Sequence, residues 1–331
     1  MSKDALTPLR FEPIFKPALW GGNRLRTLFS APPSDEPTGE AWVLSDFGNN
    51  LSVVADGPRA GTTLRQLMEE DPQRIVGRAA TSNGRFPLLL KFIHARYPLS
   101  VQVHPNDIKA RELEGPEAVG KTEAWVVVEA APSSRLYTGL NPGVTPDRLH
   151  KAIQTGKVED VLYTHEALSG DCVFLRAGTV HAIGAGVLLF ELQQSSDLTY
   201  RLYDWGRVDP KTGKPRELHV EKALASVDFS AGPCRPESLT DEGHGRVHRA
   251  RLVECPYFTL GRWEANRPFT AGAAGRCRVL VGTDGRAMIR HAGAEYLIGV
   301  GDVWLLPAEI GTCECVPHGE VTILECGLPP G

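Results

Sequence analysis

The chain has no apolar run approaching the ~20 residues of a helical membrane span. No apolar core follows Met1-Ser2-Lys3-Asp4, so no secretory signal is expected at that end. Its seven cysteines are Cys172, Cys234, Cys255, Cys277, Cys313, Cys315 and Cys326, and they contain no C-x-x-C pair. An odd, unpaired set argues against a disulfide framework and for a reducing, cytoplasmic compartment. Cys313 and Cys315 share a strand face, but they fit small apolar positions in an alternating stretch better than a thiolate site. Any excess of basic charge is missing too: the net charge is −4, which gives no reason to expect nucleic acid or an anionic membrane as partner. Aromatic residues make up 7%, too few to suggest base stacking.

What is present is an ordinary soluble composition with an unusual distribution of ligand side chains. At 331 residues and 42% hydrophobic, the chain can bury about three quarters of its unfolded surface. Three segments carry metal-binding chemistry: Ser100-Val101-Gln102-Val103-His104, Lys121-Thr122-Glu123-Ala124 and Gly178-Thr179-Val180-His181. Each reads as a strand or strand edge. Side chains two apart in a strand share a face, so Gln102 pairs with His104 and Lys121 with Glu123. Two imidazoles, a carboxylate and an amide oxygen form a mixed N/O set suited to a borderline divalent ion such as zinc. A carboxylate facing into a barrel needs a metal or a charged partner.

Gly170 to His181 reads G-D-C-V-F-L-R-A-G-T-V-H. Apart from Arg176, which stands where proline is usual, this resembles the second cupin motif, in which two turns and a short strand deliver a histidine into a small β-barrel. Gly301 to Thr312 repeats the spacing as G-D-V-W-L-L-P-A-E-I-G-T, with Glu309 in place of the glycine and Thr312 in place of the histidine. The pair implies a duplication. The expected fold is mainly β: two cupin-type barrels with a few helices, the second without metal ligands.

Longer stretches resemble the type I phosphomannose isomerases of the short bacterial kind. They include Pro13-Ile14-Phe15-Lys16, Gly39-Glu40-Ala41-Trp42, Phe86-Pro87-Leu88-Leu89-Leu90-Lys91-Phe92, Lys121-Thr122-Glu123, Glu191-Leu192-Gln193-Gln194-Ser195-Ser196-Asp197 and Arg216-Glu217-Leu218-His219. The resemblance is strong over roughly residues 10–225. It implies one zinc ion per chain on Gln102, His104, Glu123 and His181, with Lys121 and Arg201 in the catalytic pocket. It also implies substrate contacts from Ser100, Lys121 and Arg201, and a basic phosphate contact near Arg207. Glu123 and His181 lie too close in sequence to hold the helical insertion of longer family members.

The expected organisation is a catalytic domain over residues 1–234 and a degenerate barrel over 235–331. A polar linker is expected over 235–246. Helical spacing runs over 62–80, capped by Thr62 or Thr63, and again over 145–168. Residues 86–130 and 170–194 read as strands, and 216–225 as a short helix or strand.

The implied reaction interconverts mannose 6-phosphate and fructose 6-phosphate through an enediol. It needs a proton-transfer group, stabilisation of the enediolate oxygens and a phosphate anchor. Lys121, Arg201 and Glu191 are the catalytic candidates, and the group taking the C2 proton stays open among Glu191, Lys121 and an unligated His104. The expected partner is a small sugar phosphate, on a monomer or weak homodimer. Two other readings are a metal-dependent cupin oxygenase and a non-catalytic sugar-binding cupin. Gln102 in place of a second histidine argues against the first; the presence of both Lys121 and Arg201 argues against the second.

Overall fold

Alternation of apolar and polar residues is the dominant local pattern, and a computed structural model turns it into antiparallel sheet. It describes residues 5–78, 84–237, 240–241 and 246–329. Two sheets carry the ligand segments. A five-stranded sheet runs Leu162–Glu166, Arg135–Leu140, His181–Ile183, Val101–Val103 and Tyr200–Tyr203 in spatial order. A six-stranded sheet runs Cys172–Leu175, Glu123–Ala130, Val187–Gln194, Leu88–Ala95, Thr38–Leu44 and Ile14–Gly22.

Period-two alternation sorts the side chains of these sheets into layers. Leu88, Leu90, Phe92, Val126, Phe190 and Leu192 leave one face of the six-stranded sheet and pack with Leu252, Val279, Val281 and Leu324 of the C-terminal sheet. Ile93, Trp125, Val127 and Leu189 leave the other face and meet Leu136 and Ile183 of the five-stranded sheet. Beyond that second sheet, Val101 and Val103 pack with Leu149 and Ala152 of the helix Pro146–Thr155 and Ala223 of the helix Val220–Ser226. The expected shared face of Gln102 and His104 therefore points between the sheets.

The C-terminal sheet has nine strands, dominated by the long pair Arg278–His291 and Thr312–Gly327. The N-terminal strand Leu9–Arg10 joins this sheet against Val303–Leu306. The repeated motif has matching geometry in both copies. Gly170 and Gly301 both have φ of +89°, a conformation favourable to glycine. Four-residue strands follow, Cys172–Leu175 and Val303–Leu306, and the next strands open on His181 and Thr312. Gly178 keeps a left-handed φ of +92°, whereas its counterpart Glu309 is not among the positive-φ residues, so glycine is dispensable there. Cys313 and Cys315 are buried in the apolar core of this half, as their spacing suggests.

Two helical expectations and one strand expectation needed correction. The 62–80 segment is two helices, Leu64–Glu70 and Pro72–Val76, because Asp71 precedes proline and is extended at φ −162°; residues 79–80 lie outside those described. The 145–168 helix stops at Thr155, where Gly156 takes the left-handed cap. A 3-10 turn and the strand Leu162–Glu166 follow. The 86–130 strands are interrupted by the helix Asp107–Glu114, capped by the Asn106 side chain. Of the 235–246 linker, residues 238–239 and 242–245 lie outside the described set. Among the described residues no helix is long and apolar enough to cross a membrane.

The Asp71 carboxylate caps the second short helix by accepting from the amides of Gln73 (3.0 Å) and Arg74 (3.2 Å). That helix docks on the decayed motif through the amides of Ala308 and Glu309, which donate to the carbonyls of Ile75 and Arg74. Asp71→Ala is expected to cost about 1 kcal/mol in denaturant unfolding, the usual worth of such a cap. Its metal content should stay at the wild-type level by elemental analysis.

Candidate metal centre

Strand register, more than any single loop, assembles the site. In the six-stranded sheet Glu191 lies opposite Lys91 on one side and Trp125 on the other, and Gln193 lies opposite Glu123. In the five-stranded sheet Gln102 lies opposite both His181 and Arg201. The two sets face each other across the interior.

His104, Glu123 and His181 are each 1% exposed, and one donor atom from each lies within 4.8 Å of the others. Nδ1 of His104 is 2.8 Å from the Leu198 carbonyl oxygen, and Nδ1 of His181 is 2.9 Å from that of Thr179. Only a protonated Nδ1 satisfies a carbonyl, so both rings turn an Nε2 lone pair inward. Those atoms stand 3.4 Å from Glu123 Oε2 and 3.4 Å from Glu123 Oε1 respectively. Burial keeps both imidazoles neutral. It pushes His104, with help from the Lys121 charge, down to about 3, and it lowers His181 as well. Burial alone would raise Glu123, but the Lys121 ammonium holds it well below the usual carboxylate range. Glu123 Oε1 has no hydrogen-bond partner at all. Two neutral nitrogen acceptors converging on an ionised carboxylate, one of whose oxygens is orphaned, fit a metal cation and little else.

Gln102, the fourth expected ligand, adjoins this cluster with its amide Nε2 at 3.2 Å from His181 Nε2. Exchange of the amide oxygen and nitrogen by a half-turn would bring Oε1 to the cluster. The Ser100 hydroxyl donates to that Oε1 over 3.4 Å.

Lys121 sits beside the donors. Its ammonium donates to Glu123 Oε2 (2.6 Å) and Glu191 Oε1 (3.3 Å) and lies 3.3 Å from His104 Nε2. Burial would lower its pKa, but Glu123 and Glu191 raise it, so the group stays charged. Glu191 is pushed up by burial and by the Glu123 charge, and its Oε2 accepts from Trp125 Nε1 at 2.9 Å.

A cleft of about 310 Å³ opens beside this network, lined by Lys91, Ser100, Gln102, Lys121, Glu191 and Arg201 among others. Arg201 is held by its Nη1 on the Glu217 carbonyl oxygen at 2.7 Å, while its buried Nε has no partner. Of the residues expected to contact substrate, Ser100, Lys121 and Arg201 line this cleft and Arg207 does not. It donates to the Pro98 carbonyl and stands 3.7 Å from Asp204. Arg216 takes a place in the cleft instead, clamped on both Asp204 oxygens at 2.8 and 2.5 Å.

Sequence reasoning assigned no role to Lys91, Glu40 or Arg216, although all three fall within the quoted segments. Lys91 is 2% exposed and lies 3.2 Å from Glu40, 3.5 Å from Asp197 and 3.7 Å from Glu191. A readable signal existed: a lysine inside the apolar strand Leu88–Ala95 must find acidic partners to be buried.

These features define a cupin-type β protein with a buried N/O metal cluster opening on a charged cleft. Residues 9–121 match the family described as phosphomannose isomerase type I, catalytic domain. Mannose-6-phosphate isomerase ManA of Bacillus subtilis is 34% identical over 96% of this chain and 98% of its own. The mannose-6-phosphate isomerase of Streptococcus mutans is 33% identical over 92% and 93%. The crystal structure of the mannose 6-phosphate isomerase from Bacillus subtilis, at 30% identity, superposes with a TM-score of 0.88 over 98% of this chain and all of that one (100%). The apo form from Salmonella typhimurium shares the fold at 16% identity, with a TM-score of 0.75 over 98% and 100%. The chain belongs to the type I phosphomannose isomerase family.

The low pKa of His104 has a consequence for stability. An unfolded imidazole takes up its proton near pH ~6.5, the folded one only near about 3. The unfolded state therefore binds more protons throughout that window, and stability of the metal-free chain rises with pH across it. The melting temperature of chelator-treated protein should fall from pH 7 to pH 4, and the fall should be shallower in His104→Asn. Identical pH slopes for both proteins would remove His104 from the effect.

Proposed function

We propose that this chain interconverts mannose 6-phosphate and fructose 6-phosphate, with one zinc ion held by Gln102, His104, Glu123 and His181. The observation that carries the reading is the position of the Lys121 ammonium, shared between the metal-side carboxylate of Glu123 and the cleft-side carboxylate of Glu191. A bare metal-binding cupin has no use for a buried ammonium–carboxylate pair next to its ligands. The names of the relatives at 34% and 33% identity support the same activity. The seven cysteines are all free, which supports a cytoplasmic setting.

The substrate enters the cleft with its C1–C2 end towards Gln102 and Lys121. Arg201, opposite Gln102 in the sheet and on the cleft wall, donates to the sugar oxygens at that end. Ser100 orients the Gln102 amide and borders the same end. Zinc, when bound, supplies a charge that stabilises oxygen anions at C1 and C2. Glu191 and Lys121 move the protons: a carboxyl with a raised pKa beside a charged lysine suits removal of the C2 proton and its return to C1. The placement of His104, with Nδ1 on the Leu198 carbonyl and Nε2 among the cluster donors, supports a ligand role for it over that of base. Arg216 anchors the phosphate, and Asp204 holds it in place with Arg207 behind.

A coupled assay on both sugar phosphates, with metal content measured in parallel, tests this scheme. Lys121→Met should keep its zinc and lose about 10²–10⁴ in kcat, the range for a positioned acid–base group. Full activity with normal zinc would take Lys121 out of the mechanism. Arg216→Ala should raise KM for mannose 6-phosphate with little effect on free mannose, since phosphate contacts supply binding energy remote from the reacting carbons. Equal losses on both sugars would move Arg216 to the C1–C2 end.

A further inference from the structure

Asp107 is neither a metal-cluster residue nor part of the cleft lining, yet its carboxylate ties three segments together. Oδ1 accepts from the Gly120 amide at 2.8 Å and from Gln194 Nε2 at 3.1 Å. Gln194 in turn accepts from the Thr122 amide at 2.9 Å through Oε1, and its own amide donates to the Thr122 carbonyl at 3.2 Å. Asp107 thus fixes the peptide units on both sides of Lys121. The approach is close: a Cβ on Gly120 would stand 2.6 Å from backbone atoms of Asn106 and Asp107, so no side chain fits there. The same turn is stitched further by Lys121 N to the Pro105 carbonyl at 3.0 Å and by Gly178 N to the His104 carbonyl at 2.7 Å. All three ligand-bearing segments meet at this turn.

The remaining oxygen of Asp107 is taken from the C-terminal half. Tyr257, in the loop between the strands Val247–Glu254 and Thr259–Ala265, donates its hydroxyl to Oδ2 at 2.8 Å. Its ring packs on the apolar core shared by both halves of the chain. A second contact comes from the same half. Arg262 donates through Nη1 to the carbonyl of Gly170, which opens the motif ending in His181.

We propose that the C-terminal half, which has no metal-ligand cluster among its described residues, sets the metal affinity of the other half. Tyr257 is a positioning residue that, through Asp107, holds the His104 turn against the Lys121–Glu123 segment. The inference rests on the metal centre of the reading above and not on its substrate. Groups that fix where ligand atoms stand before the ion arrives commonly govern affinity; Asp107 touches no ligand side chain and does this through the backbone that carries Lys121 and Glu123.

The test is zinc affinity of the full chain, measured by competition with a chromophoric chelator in the absence of substrate. Asp107→Ala should weaken zinc binding by about 10–100-fold, and Tyr257→Phe, one step further out, by about 3–10-fold. In the Asp107→Ala background, Tyr257→Phe should add less than about twofold, because its route to the metal is already cut. Should Asp107→Ala not fold, Asp107→Asn, which keeps an acceptor for Gly120 but weakens the tyrosine contact, takes its place in the cycle. Unchanged zinc affinity in Tyr257→Phe overturns the proposal. So do fully additive losses, or a lower melting temperature of the metal-free protein with zinc affinity intact. Absence of isomerase turnover with this coupling present would sink the substrate assignment and leave the inference standing.

Discussion

A buried carboxylate flanked by two neutral imidazoles is the constraint around which the rest of the protein is arranged. Each ring is neutral because it is buried, and each turns its lone pair inward because its other nitrogen is spent on a carbonyl. Glu123 cannot shed its charge, since Lys121 stabilises the ionised form. Three electron-rich atoms in one dry pocket are tolerable only with positive charge among them. Lys121 supplies part of it, and the remaining donors are those of a metal-binding cluster.

The same logic extends outward as an alternating chain of charges. Glu123 meets Lys121, Lys121 meets Glu191, Glu191 meets Lys91, and Lys91 meets Glu40 and Asp197. Burying any one of these alone would be costly; together they satisfy one another, and removing one member exposes its neighbours to an uncompensated charge. The chain leads from the metal side to the wall of the cleft, so the network that makes burial tolerable also carries protonatable groups to the cleft surface.

The C-terminal copy of the glycine-spaced motif, Gly301 to Thr312, keeps part of the first copy's geometry. Its short strand and opening glycine turn persist because they still build sheet. Its later turn has lost the left-handed glycine and carries Glu309, which pairs with Arg74 across the junction with the N-terminal part. Thr312 stands exposed at the head of a long strand where the first copy buries His181.

Much of the site was legible in the chain because period-two alternation is a local property. Once a segment is a strand, Gln102 must share a face with His104 and Lys121 with Glu123, and the repeated glycine spacing marks where His181 enters. Helix limits were less legible, since Asp71-Pro72 and Gly156 outweighed apolar spacing that continued past them. Register is not local. Nothing in the strand Leu88–Ala95 by itself says that Lys91 lies opposite Glu191, or that Arg216 rather than Arg207 reaches the cleft. Those placements follow from which strands pair and where Asp204 points its two oxygens, which are sums over contacts distant in sequence. The sequence by itself determined the donor types and the faces they occupy; the tertiary structure alone decided the partners, because a charge can be buried only where the fold brings its counter-charge.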